Sequence, residues 1–270
     1  MKSHRLQKES VEPAAPYTVL ASVYDQMMAH VNYRRWASYV ASIMKKEGTW
    51  LQGDLLDIGC GTGRFLGEMF NKKHPGYGCD PSPAMLSVAK KHLPAKKFYQ
   101  CGLPELEKVP NERFSTITCL YDTMNYLMEE QEFVKALLSV YRKLLPGGIF
   151  IFDLVSEAHC QLHFQNYHDS EVLNDDYAYQ RETYYDSQKK IQFNWVRIYS
   201  PEGIFEEEHQ QRIYDFSQVQ RNIARYTAFS LVHIYSDFSF DKANRNSGRA
   251  HFVLKKKPTN EPVSEPPLRI

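Results

Sequence analysis

The chain has 270 residues, 43% of them hydrophobic and 24% charged, enough for one large domain or a domain with a sizeable insertion. A net charge of +1 leaves no basic footprint for a nucleic-acid partner, and no apolar run approaches the ~18 residues of a membrane span. Residues 1–16 lack the apolar centre of a secretory signal, and five cysteines without a CxxC pair give neither a zinc site nor a disulfide framework, so the expectation is a cytoplasmic protein with buried free thiols and no metal.

Residues 1–16 read as a disordered lead-in ending at Pro13 and Pro16. Helical periodicity then runs from Tyr17 through Leu20, Tyr24, Met27, Met28 and Val31. On one continuous helix Tyr17 and Tyr24, seven apart, would share a face. A second helix carries Trp36, Val40, Ile43 and Met44 and ends at Gly48. Together they form a helical cap over 17–48.

The first strand is expected at Asp54–Ile58, followed by the glycine loop Gly59-Cys60-Gly61-Thr62-Gly63 and a helix burying Phe65, Leu66, Met69 and Phe70. Strand two, Gly76–Asp80, ends on an acid. The next helix starts with Ser82 as N-cap and Pro83 at its first position. Strand three lies near Lys97–Cys101 and strand four at Phe114–Leu120. A helix with Phe133, Leu137, Val140, Tyr141 and Leu144 is expected to stop at Pro146-Gly147-Gly148, before strand five at Ile149–Leu154. This alternation with short connections is the pattern of an open, mostly parallel sheet wrapped by helices.

Residues 155–175 read as irregular. Three runs of antiparallel type follow, Tyr177–Tyr185, Ile191–Ser200 and Ile204–Phe216, with Asp186-Ser187-Gln188-Lys189 and Pro201-Glu202-Gly203 as turns. Ser217-x-x-Gln220 reads as a capping box opening a helix. Phe229–Phe238 and Ala250–Lys256 close the sheet, and residues 258–270, with four prolines, read as a disordered tail. The α/β core thus covers 50–154 and 217–257, with an antiparallel β insert at 176–216.

The glycine spacing carries the most chemistry. A dinucleotide fold needs G-x-G-x-x-G, whereas here Gly59-x-Gly61-x-Gly63 follows Asp57. This pattern, with Asp80 after the second strand, resembles motif I of the class I S-adenosylmethionine-dependent methyltransferases. Tyr17-x-x-x-Ala21-x-x-Tyr24-Asp25, Tyr33-x-x-Trp36, Asp80-Pro81-Ser82-Pro83-Ala84-Met85-Leu86 and Leu145-Pro146-Gly147-Gly148 resemble the same family. Cys119-Leu120-Tyr121-Asp122-Thr123-Met124-Asn125-Tyr126 and Glu207-Glu208-His209-x-x-Arg212 resemble a small-molecule subgroup similar to sugar-amine N-methyltransferases. The resemblance covers about residues 17–257.

It implies a seven-stranded, mostly parallel Rossmann-like α/β sheet with helices on both faces and an antiparallel β insert after strand five. It implies S-adenosyl-L-methionine as cofactor, held by Tyr17, Asp57, Gly59, Cys60, Gly61, Gly63, Asp80, Pro81, Met85, Cys101, Gly102, Leu103, Leu120, Tyr121 and Asn125. Asp57 would orient the loop or meet the amino group, and Asp80 the ribose hydroxyls, since one carboxylate offers two oxygens. The family usually has an acid for the adenine amino group where this chain has Gly102, and strand four opens Phe114-Ser115 rather than Phe-Asp. Asp122, Tyr24 and His209 are the candidate catalytic residues, while Glu207, Glu208 and Arg212 read as a solvated strand face. The expected partner is a small-molecule acceptor methylated on an amine or hydroxyl, with a homodimer admitted by the tyrosine-rich Tyr177–Tyr185. Rival readings are a nucleic-acid or protein methyltransferase and a non-catalytic sensor or scaffold.

Overall fold

The computed structural model describes residues 10–93 and 97–258. The disordered ends expected at 1–16 and 258–270 therefore lie largely outside the described residues. Residues 11–14 correct the first of them, because they form a strand, β1 (Val11–Ala14). The proposed continuous helix from Tyr17 is also replaced. Tyr17 turns at φ 60°, a 3-10 turn follows at Leu20–Ser22, and α1 (Tyr24–Met27) is a single turn. Tyr17 and Tyr24 still meet, edge to face with ring centroids 5.9 Å apart, through the fold of a loop rather than a helix face.

The core begins at α2 (Tyr33–Lys46), whose Asn32 side chain caps the Arg35 amide. There follow β2 (Asp54–Ile58), α3 (Arg64–Asn71), β3 (Gly76–Asp80), α4 (Pro83–His92), β4 (Phe98–Gln100), β5 (Phe114–Cys119), α5 (Glu130–Lys143) and β6 (Leu144–Val155). Phe70 is about half exposed, unlike the other apolar residues expected in the α3 core. The α5 helix ends at Lys143, and Pro146-Gly147-Gly148 lies within β6 rather than before it.

Residues 155–175 are not irregular but contain α6 (Glu157–His163) and β7 (Tyr167–Val172). Ser156 caps α6 by accepting from the His159 amide. After β8 (Ala178–Asp186), β9 (Ile191–Ser200) and β10 (Gly203–Arg212), the helix expected at Ser217 starts earlier, as α7 (Phe216–Tyr226). Its cap is Asp215, which accepts from the Gln218 amide at 2.8 Å. The chain returns to the sheet in β11 (Phe229–Ser236) and β12 (Arg249–Lys256).

The large sheet has the order β11-β12-β6-β5-β2-β3-β4. Strands β4, β3, β2, β5 and β6 run parallel, β12 runs antiparallel to β6, and β11, antiparallel to β12, points the same way as the parallel strands. Side chains alternate between two cores, as the pleat requires. Phe150 and Phe152 pack with α5 and α7, while Ile149 and Ile151 pack with α2 and α3. The strand order reverses between β2 and β5, so a crevice opens at their carboxyl ends, where open α/β sheets take ligands.

The second sheet has the order β1-β10-β9-β8-β7, antiparallel except where β1 joins β10 in parallel. Tyr179, Val196 and Ile198 on its inner face pack against Leu20, Val23, Met27 and Met28. The insert thereby presses residues 17–28 onto the crevice. All five cysteines are buried free thiols. Among the described residues, no helix is long and apolar enough to cross a membrane.

Candidate functional site

A cavity of about 450 Å³ lies over the crevice, within the size range of small-molecule sites. Its floor is the glycine loop and the ends of β2 and β3. Its walls are Ala15–Thr18, Tyr24, Pro81–Pro83 and Met85, Gly102–Leu103, and Leu120, Tyr121, Thr123, Tyr126 and Leu127. A smaller space of about 60 Å³ shares Tyr24, Gly59, Gly61, Leu120 and Tyr121 and adds Asp57, Cys60, Tyr33 and Trp36.

The loop is shaped by backbone needs. The Gly59 and Cys60 amides both donate to the Cys79 carbonyl, at 2.8 and 3.0 Å, which turns the chain off β2. Gly59 has φ 68°, and a Cβ there would stand 2.6 Å from Thr123 Cγ2. Gly61 has φ 52°, and a Cβ added to it would meet nothing within 4 Å, so open space lies above it.

Two buried acids flank the loop. Asp80 Oδ2 accepts the Gly61 amide and Oδ1 the Ser82 amide, each at 2.9 Å. Burial raises its pKa while those two donors oppose the rise. Each oxygen keeps a further lone pair for a ligand donor. Asp57 is 4% exposed and accepts the Thr118 hydroxyl at 2.7 Å. Burial pushes its pKa up to about 7, against the Thr118 hydrogen bond and helped by the charge of Asp80.

The wall over the loop is fastened from both sides. Thr62 donates to Asp25 Oδ1 at 2.6 Å, joining the α3 entrance to α1. Ser82 donates to the Tyr17 carbonyl at 2.7 Å. From the insert, fully buried Glu207 accepts the amides of Tyr17, Thr18, Val19 and Leu20 at 2.6–3.1 Å. Burial opposes its charge, but the His209 contact and the backbone donors hold its pKa below the ordinary value. Glu207 is therefore not a solvated-face residue, a correction that the alternation of β10 explains: Glu207, His209 and Gln211 point inward. Arg212 donates to the Met128 carbonyl at 2.8 Å, and Glu208 alone of the motif's acids faces out.

Ten of the fifteen residues expected to hold a cofactor line the main cavity: Tyr17, Gly59, Gly61, Asp80, Pro81, Met85, Gly102, Leu103, Leu120 and Tyr121. Asp57 and Cys60 line the smaller space. Gly63, Cys101 and Asn125 line neither. Gly63 is the N-cap of α3 at φ 81°. Cys101 is buried behind the wall, and Asn125 braces β6 to β10 by donating to the Arg212 carbonyl at 2.7 Å.

Of the catalytic candidates, Tyr24 lines both spaces, and burial raises its pKa far above the usual phenol value. His209 lines neither; its Nδ1 meets the Tyr126 hydroxyl at 3.1 Å. Asp122 also lies off both walls and forms an ion pair with Arg249, so its carboxylate is committed to the fold rather than free as a base. The sequence reading missed Thr123, Leu127, Ala15, Pro16 and Thr18 as wall, and Tyr126 as the partner of Tyr17. Tyr126 stands in a stretch already singled out, but spacing does not reveal that its hydroxyl lies 2.6 Å from that of Tyr17.

Residues 55–148 match the family described as a methyltransferase domain. Over 251 residues the chain is 28% identical to a protein of Geobacillus sp. (strain WCH70) assigned as a methyltransferase, spanning 89% of this chain and 99% of that one. Over 146 residues it is 25% identical to the dTDP-3-amino-3,6-dideoxy-alpha-D-glucopyranose N,N-dimethyltransferase of Streptomyces fradiae, covering 52% of this chain and 55% of that enzyme. Among solved structures, an S-adenosylmethionine-dependent methyltransferase from Clostridium acetobutylicum ATCC 824 superposes with a TM-score of 0.72 at 22% identity, over 88% of this chain and 98% of that chain. At that identity the superposition bears on the fold.

Proposed function

Because the chain is a class I S-adenosylmethionine-dependent methyltransferase, we propose that it moves the methyl group in line to an amine or hydroxyl of a small-molecule acceptor. The observation that carries this is the roofed cavity between the glycine loop, Asp80 and the tyrosine wall. The Streptomyces fradiae relative acts on an amino-sugar nucleotide, which supports an acceptor of that size and chemistry. The near-neutral charge supports a small acceptor over nucleic acid.

The residues fit the cofactor. Open space above Gly61 suits its amino-acid part, with Asp57 beneath to orient the loop or meet the ammonium. The spare lone pairs of Asp80 suit two ribose hydroxyls, and Met85, Gly102 and Leu103 the adenine. A side chain at Gly102 would crowd Pro81, 3.2 Å from its Cβ, so adenine recognition here falls to backbone and apolar contacts.

When bound, the cofactor supplies an electrophilic methyl on a sulfonium. Since that positive charge vanishes during transfer, an anion against it would stabilise the ground state and slow the reaction. Tyr17, Tyr24 and Tyr121 offer aromatic faces instead. The rate then comes chiefly from holding nucleophile, methyl and sulfur in line. Residues 17–28 roof the cavity and rest on the insert, which supports the insert as the element that selects the acceptor.

Calorimetric titration with S-adenosylmethionine and S-adenosylhomocysteine, followed by an amine and alcohol acceptor panel, tests this reading. Micromolar binding and turnover of a small acceptor are expected. No binding up to millimolar ligand would overturn it.

A further inference from the structure

The tyrosine pair in the wall is tied to a buried acid. The Tyr17 and Tyr126 hydroxyls lie 2.6 Å apart, Tyr126 reaches His209 Nδ1 at 3.1 Å, and His209 Nε2 lies 3.3 Å from Glu207 Oε2. Glu207 and His209 are 0% and 3% exposed, while both tyrosines line the cavity. The chain therefore runs from a dry carboxylate to the ligand space.

Its charged end fixes its direction. Four backbone amides hold Glu207 as a carboxylate. The ring nitrogen 3.3 Å from that carboxylate makes an ion-pair contact with it rather than a well-aligned hydrogen bond, and a proton there keeps two lone pairs from facing each other. In the neutral ring Nδ1 is then an acceptor. With the ring neutral, Tyr126 donates to it and Tyr17 donates to Tyr126, whereas an imidazolium would donate from Nδ1 and reverse both bonds. The Tyr17 proton is thus committed inward, and its oxygen keeps its lone pairs for a ligand. Without the carboxylate, the hydroxyl pair could reverse and present a proton instead.

Resting on the cofactor-and-acceptor reading of this cavity, we propose that Glu207, His209 and Tyr126 position Tyr17 as a hydrogen-bond acceptor for a ligand amino group. An amine that points an N–H at this oxygen turns its lone pair elsewhere, free to meet the methyl. Two amino groups have this chemistry, the acceptor's amine and the α-ammonium of the cofactor.

Tyr17→Phe and Tyr126→Phe keep the rings and remove one hydroxyl each. Calorimetry with S-adenosylhomocysteine and with its analogue lacking the α-amino group, steady-state kinetics on an amine acceptor, and ¹⁵N imidazole spectra of the unaltered protein form the test. The spectrum is expected to show His209 protonated on Nε2 and bare on Nδ1. If the cofactor supplies the amino group, both variants bind S-adenosylhomocysteine about tenfold more weakly and the analogue equally well. If the acceptor supplies it, S-adenosylhomocysteine binding is unchanged and KM for the amine rises about tenfold. Unchanged values in both arms, or a proton on Nδ1, would overturn the proposal. Failure of S-adenosylhomocysteine to bind the unaltered protein would instead overturn the cofactor reading, and the imidazole spectrum would still decide the direction of the chain.

Discussion

Arg249 on β12 forms an ion pair with Asp153 on β6, and the same guanidinium holds Asp122 in the loop after β5. The Asp153 side chain is fully buried and also accepts the amides of Tyr121 and Asp122, at 2.7 and 3.1 Å. The Arg249 guanidinium sits 5.5 Å from the ring centres of both Trp36 and Tyr121. This cluster fixes the loop that sends Tyr121, Thr123 and Tyr126 into the cavity wall. It converts a sheet contact into the shape of the site.

Removing the cation leaves the buried Asp153 carboxylate with two amide donors and no opposite charge. Arg249→Met is expected to destabilise the fold by about 3–5 kcal/mol at neutral pH, measured by urea denaturation. Burial pushes the Asp153 pKa up to about 6 even with Arg249 opposing, so without Arg249 the carboxyl protonates more readily still. The destabilisation should therefore be smaller at pH 5 than at pH 8. A loss that does not depend on pH would show that the cation does not offset this charge.

Asp57 gives a second pH signature. Burial, opposed by Thr118 and helped by Asp80, raises its folded pKa to about 7. The folded state then holds this proton more tightly than the unfolded state between about pH 4 and about 7, so stability falls as pH rises through that window. Asp57→Asn should remove that fall, read as a flatter Tm against pH. An unchanged slope would mean that Asp57 ionises normally in the fold.

Glu207→Ala leaves the amides of Tyr17 through Leu20 without their acceptor. Hydrogen exchange at those amides should quicken at least ~10-fold, given ~1.5 kcal/mol or more for each bond to a charged group. Exchange in β2 should stay slow, since its bonds run to β3 and β5. Equal acceleration in both places would point to global unfolding rather than a loosened roof.

The loop glycines should fail differently. Gly59→Ala meets Thr123 at 2.6 Å and should cost about 2–3 kcal/mol of stability, partly recovered by adding Thr123→Ala. Gly61→Ala has open space and pays only its backbone strain, about 1–2 kcal/mol. Thermal melts of the three variants check the order, and failure of Thr123→Ala to recover any stability would refute the clash.

Asp80→Asn keeps a side chain of the same shape but removes the charge that would hold the ribose hydroxyls. Affinity for S-adenosylhomocysteine should fall about tenfold by calorimetry. An unchanged affinity would sink the ribose assignment.

Much of the sheet was readable because its signals are local. Asp54–Ile58 and Gly76–Asp80 appear as strands at the residues their apolar runs indicated, and the Ser82 side chain caps α4 by accepting from the Met85 amide. The misreadings share a cause. Residues 17–31 have helical spacing, but tertiary packing against the insert breaks them into turns. Strand β7 is largely exposed, so it carries too little apolar alternation to be seen. Asp215 and Ser217 are both good caps, and only the backbone decides that Asp215 takes the role.

By itself the sequence determined the strand, glycine loop and second acid, because Gly59, Gly61 and Asp80 lie within one strand–helix–strand unit whose backbone demands are met locally. The tertiary structure decided what Asp122, Glu207 and His209 do. Glu207 finds the Leu20 amide 187 positions away, and Arg249 finds Asp122 at 127. Periodicity records which side of a strand is dry; it does not record which distant charge will be buried there beside it, since that depends on how two sheets close over one cavity.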